Sequence, residues 1–125
     1  RDTDRSRGLG DVYKRQNLAR EEAFSLLKCA VDLSNARENN STSDLISALD
    51  NNMKLWVYIK TLASDEKNPL PRETKGNLIK LADYVSSRTL EVGKNVDNLN
   101  QKALDCMIMT NLQISEGLMS KRPAC

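Results

Sequence analysis

The sequence has no histidine anywhere along its 125 residues. That removes the commonest general base, every Ser-His or Cys-His nucleophile pair and the usual imidazole metal ligand. Phosphate-cradling and dinucleotide-binding glycine motifs are absent, and no Cys-x-x-Cys pair occurs. Cys29, Cys106 and Cys125 are widely spaced and odd in number, which fits reduced thiols better than a disulfide framework or a zinc site. The carboxylates Asp44, Glu73, Asp83, Glu91 and Asp105 are scattered among basic residues on the expected outer faces of helices, and read as solvated surface. Neither catalysis nor a metal or cofactor is expected from such a set, so function falls to surfaces that bind.

Two residues stand out as binding candidates. Trp56 is the sole tryptophan, and an indole of that size organises a small core or concentrates the energy of an interface. Asn111 interrupts an apolar stripe, where an unpartnered amide costs roughly 1 to 3 kcal/mol. It must be satisfied by a neighbouring backbone carbonyl or helix end, or recognise the backbone of a partner.

Charge sets further limits. The net charge is +2, from 19 basic and 17 acidic side chains spread along the chain, so no footprint for a polyanion is visible. The nearest basic patch is Lys60, Lys67, Arg72, Lys75 and Lys80, which reads as solvated surface, and direct nucleic-acid binding is not expected. Apolar runs fall far short of the roughly 20 residues that span a bilayer, and no signal peptide is visible. A cytoplasmic protein is the expectation.

These side chains have to be positioned by helices. Apolar residues make up 39% of the chain and aromatics 4%, and strand patterns are missing. Residues 1 to 16, dense in charge and without apolar periodicity, read as a disordered tail that resembles translated adaptor sequence and is foreign to the domain. A first helix is expected over about 18 to 37, with Ala23, Phe24, Leu27, Cys29, Ala30, Val31, Leu33 and Ala36 as its apolar positions. The second, over 44 to 65 and about 33 Å long at 1.5 Å per residue, carries Leu45, Leu49, Met53, Trp56, Ile59 and Ala63, widened by Ile46, Leu55, Val57 and Leu62. Pro69 and Pro71 stop it, and Pro71 suits the first position of a third helix. Leu78, Leu81, Ala82, Val85, Thr89 and Val92 form that helix's stripe, and Gly93 with Asn95 marks its end. Asp97 or Asn98 caps a fourth helix with Leu104, Met107, Ile108, Asn111, Ile114 and Leu118 inside, ending near Ser120. The fold class is all-α, a compact bundle of about four antiparallel amphipathic helices over residues 17–120, followed by a flexible tail at 121–125.

Several strings then align with a known family. Asn52-Met53-Lys54-Leu55-Trp56, Asn68-Pro69-Leu70-Pro71, Leu81-Ala82-Asp83-Tyr84-Val85 and Asn111-Leu112-Gln113-Ile114-Ser115-Glu116-Gly117-Leu118 resemble, in order and spacing, the landmarks of the FlaF family. Arg20-Glu21-Glu22-Ala23 resembles its early helix. The resemblance covers about Asn17 to Leu118.

It implies a flagellar biosynthesis regulator without enzymatic activity, one that handles flagellin for synthesis and export as a secretion chaperone. Flagellin is the expected partner and the FlbT regulator a second one. Asn52, Leu55, Trp56, Tyr84, Asn111 and Ile114 are the expected partner-binding residues. The alternative is post-transcriptional control of flagellin messenger RNA together with FlbT, and a third reading is a purely structural, dimeric helical adaptor.

Overall fold

A computed structural model describes residues 2–117, and side chains from Arg20 to Gly117. Leu118, the expected helix end near Ser120, the expected tail at 121–125 and Cys125 lie outside the described residues. Within them the chain forms α1 (Asp2–Glu38), α2 (Thr42–Ser64), α3 (Arg72–Gly93), a single 3-10 turn (Val96–Asn98) and α4 (Gln101–Gly117), with no strand.

The joints explain the boundaries. At the end of α1, Ser41 N–H donates to the Ala36 carbonyl at 3.2 Å and Asn40 N–H to that of Arg37 at 3.1 Å, with Asn40 at φ 52°. This is the left-handed closure of a Schellman motif, with asparagine in the place glycine usually takes. Ser41 then caps the next helix, its hydroxyl accepting from Asp44 N–H at 3.2 Å, so one residue closes α1 and opens α2. Between α2 and α3, Asn68 Oδ1 accepts from Leu70 N–H at 3.0 Å. Pro71, expected at the first helical position, is the N-cap of α3, so the helix begins one residue later, at Arg72. The cap of α4 is Asn100, whose Oδ1 accepts from Ala103 N–H at 3.0 Å. Asp97 and Asn98, the expected caps, are consumed by the preceding 3-10 turn.

α1 begins at Asp2, inside the stretch read as a disordered tail. Residues 2–17 contain no proline, and once a helix is nucleated each added residue brings its own hydrogen bond. An apolar face is not required for such an extension.

The helices pack in a ring, α1 on α2, α2 on α3, α3 on α4 and α4 back on α1, which leaves α2 and α4 on a diagonal. Neighbours are antiparallel. Lys60 meets Asp83 at 2.7 Å while Lys75 Nζ donates to the Asp65 carbonyl at 2.9 Å, and Arg37 pairs with Asp105 while Leu26 lies against Asn111. The expected stripes of α3 and α4 are buried as far as the structure describes them. In α2, Leu45, Leu49, Trp56, Ile59 and Ala63 are buried with Ala48 and Asn52, whereas Ile46 and Val57 are exposed.

α1 departs from expectation. Its buried face is Leu26, Ala30, Leu33 and Ala36 with Glu22, while Phe24, Leu27 and Val31 point to solvent. The small Ala30 and Ala36 let α1 approach its neighbours closely, and that approach brings the Leu26 carbonyl within reach of Asn111. Cys29 is a free, half-buried thiol, and burial with the nearby Asp32 charge raises its pKa. Cys106 is disulfide-bonded, so the expectation of reduced thiols does not hold for it.

Candidate functional site

The residue that breaks the apolar stripe of α4 is the centre of a buried polar hub. Asn111 Oδ1 accepts from the Trp56 indole Nε1 at 2.9 Å. Its Nδ2 donates to Asn52 Oδ1 at 2.6 Å and to the Leu26 carbonyl at 3.2 Å. Asn52, Trp56 and Asn111 are each 0% exposed. The hub therefore ties α2 to α4 across the diagonal and takes hold of α1 through a main-chain atom. Asn52 and Trp56 lie one turn apart on α2, which is why both reach the same amide. In a low-dielectric interior such bonds strengthen, and any gap in them becomes costly.

There is such a gap. Asn52 Nδ2 has no hydrogen-bond partner, a defect of roughly 1 to 3 kcal/mol for a buried donor. A second, only partly compensated group lies one turn from Leu26 on the same face of α1: Glu22 is 8% exposed, and a hydrogen bond from its own main chain offsets part of the burial of its carboxyl. Desolvation of its carboxyl, aided by the charge of Glu21, raises its pKa above the ordinary glutamate value.

Four of the expected partner-binding residues, Asn52, Trp56, Asn111 and Ile114, are thus enclosed at 0% exposure and offer no surface while the bundle is closed. Leu55 and Tyr84 are half-buried and pack against the core. The Tyr84 ring lies 5.7 Å from the Arg88 guanidinium, which pairs with Glu91 at 2.9 Å. Trp56 and Asn111 are brought together, as core residues; Leu55 and Tyr84 are not part of the hub.

What the closed bundle does present is the outer face of α1. Phe24 is 69% exposed, Leu27 42% and Val31 47%, at positions i, i+3 and i+7 of one helix. An open groove of ≈ 440 Å³ runs beside them between α1 and α4, with Phe24, Leu27 and Leu112 on its walls and Arg20 and Glu116 at its margin. The sequence held a signal for this face: α1 carries two interleaved apolar sets, and one helix side cannot bury both.

The basic patch is partly engaged. Lys60 is paired with Asp83 and Lys75 is bonded to a main-chain carbonyl, while Lys67, Arg72 and Lys80 are exposed. Among the described residues no helix is long and apolar enough to cross a membrane.

No curated protein and no solved structure matches the chain. A family model described as flagellar protein FlaF matches residues 12–118, beginning five residues before the expected domain boundary at 17 and covering the hub, the outer face of α1 and all four landmark strings. On that match over most of its length, the chain belongs to the FlaF family of flagellar proteins.

Proposed function

We propose that this protein acts in flagellum assembly by binding unassembled flagellin non-covalently in the cytoplasm, as a chaperone that couples flagellin synthesis to export, and that it catalyses no reaction. The observation that carries the reading is the unpartnered apolar stripe Phe24, Leu27 and Val31 beside the α1–α4 groove. An amphipathic helix laid along α1 would meet that stripe with anchors at the same spacing. The stripe spans about 10 Å at 1.5 Å per residue. Its three residues fall well short of the roughly 20 to 30 residues a side of a standard stable interface, which favours a slender helical ligand over a second copy of the chain.

Co-purification of full-length protein with soluble flagellin tests the proposal. Association is expected with the unaltered chain and is expected to fall at least tenfold with Phe24→Asp or Leu27→Glu, in proteins whose helicity is unchanged. Absence of any association, or association indifferent to both substitutions, would overturn it. Retention of flagellin messenger RNA in place of flagellin would transfer support to the alternative of translational control with FlbT.

A further inference from the structure

We propose that α1 is a displaceable helix: it opens as a unit about the Asn39–Ser41 joint, and the surface it uncovers, centred on Asn52, Trp56 and Asn111, receives an amphipathic helix of the partner. The inference deepens the flagellin-binding reading and rests on it only for the identity of the incoming helix.

Two poorly compensated polar groups lie along the seam beneath α1, apart from the unpartnered Arg88 Nε on α3. Asn52 Nδ2, 0% exposed as a residue, has no partner, and it belongs to the same hub that holds Leu26 of α1. One turn away on the inner face of α1, the carboxyl of Glu22 is enclosed with no cation paired to it among the described residues. Both groups regain full solvation when α1 leaves, so each lowers the free energy of that opening without weakening α2, α3 or α4. The contact α1 makes with the hub is through a carbonyl oxygen, an atom every helix possesses. An incoming helix with a small residue at that level would supply the same acceptor to Asn111. α1 is itself seated in that place, with Ala30 and Ala36 facing inward, and so defines the chemistry of its replacement: leucines alternating with small residues.

The joint is suited to a hinge. Asn40 holds φ 52°, a conformation that costs a non-glycine residue strain and is relieved when the corner opens. The outer stripe of Phe24, Leu27 and Val31 is the face offered by the closed protein; opening adds the groove beneath. The four buried members of the expected partner-binding set, Asn52, Trp56, Asn111 and Ile114, would then reach a partner directly.

Native-state hydrogen exchange on the full chain reads the opening without any partner. Amides of residues 26–37 are expected to exchange at least about tenfold faster than those of 56–63 and 78–92, and Glu22→Gln and Asn52→Leu are each expected to slow the α1 set severalfold while leaving the ratio among the other helices unchanged. Exchange of all three sets at one rate, or an α1 rate indifferent to both substitutions, overturns the proposal. Exchange in the presence of purified flagellin reads the second half. Amides of residues 26–37 should lose further protection as the partner helix takes the place of α1. Flagellin that co-purifies while the α1 amides keep their protection also overturns the proposal, because binding then uses the closed form. Should flagellin fail to bind at all, the chaperone reading falls, and the exchange rates alone decide whether α1 opens.

Discussion

Trp56 and Asn111, one on α2 and the other on α4, are joined by a hydrogen bond of 2.9 Å across the diagonal of the four-helix ring. Helices on a diagonal share no side-by-side interface. A long indole reaching to a side-chain amide is one of the few ways to connect them directly, and here it does so with both residues out of contact with water.

Asn111→Ala should therefore cost more than the lost volume. It strands the indole N–H and removes the partner of Asn52 Oδ1, and each buried group left unpaired costs about 1 to 3 kcal/mol. A loss of roughly 2 to 4 kcal/mol is expected, read as the shift in urea midpoint with Trp56 emission as the probe. A change below about 1 kcal/mol would mean that the hub contributes little.

Asn52→Leu should behave in the opposite way. The substitution exchanges the stranded Asn52 amide for a side chain of similar shape, while Asn111 keeps its bond to the Leu26 carbonyl. Stability is expected to be unchanged or to rise by up to about 1 kcal/mol, since replacing imperfectly paired polar groups by apolar ones is often neutral or favourable. A midpoint displaced well below that of the parent would show that Asn52 contributes more as an acceptor than it loses as an unpaired donor.

Glu22 gives the protein a pH dependence of definite sign. Its pKa is raised by burial and by Glu21, so between the ordinary glutamate value and that raised value the native state binds more protons than the unfolded one. Stability then falls as pH rises through this window, and the deficit persists at neutral pH. Glu22→Gln should flatten the slope and raise the melting temperature at pH 7. An identical slope in the variant would assign it to other groups.

The corner between α1 and α2 offers a paired test. Asn40→Gly should stabilise by about 0.5 to 1 kcal/mol, because glycine adopts the φ 52° conformation without a Cβ penalty. Ser41→Ala should cost about 1 kcal/mol through the lost cap to Asp44, within the usual range for such caps. Thermal unfolding of the two single variants decides both.

Much of this architecture was readable from residue order. The stripes of α3 and α4 follow the 3.6-residue period closely, and Pro71 and Gly93 punctuate the chain where their backbone chemistry demands it. The anomaly of Asn111 inside an apolar stripe pointed to a polar partner. Which partner was not readable, because Asn52 and Trp56 are more than fifty residues distant in the chain, and local pattern carries no information about side chains that meet across a diagonal. The face of α1 was misjudged for a related reason. Phe24, Leu27 and Val31 are as apolar as Leu26 and Leu33, and the close approach permitted by Ala30 and Ala36 decided between them. The cap of α4 was placed at Asp97 or Asn98 and is instead Asn100, because the 3-10 turn takes up both expected residues. Glu22 gave no warning, since a glutamate beside another glutamate near the start of an apolar stretch looks like solvent-facing charge.

The diagonal bond also bears on the order of events during folding. Trp56 and Asn111 stand 55 positions apart in the chain, with all of α3 between them, whereas each antiparallel hairpin of the ring closes over a short joint. Loop-closure entropy favours the hairpins first, so the indole finds its amide only after they have docked. In a stopped-flow refolding trace, the emission of that single tryptophan should mark the final assembly step, lagging the far-ultraviolet signal of helix formation.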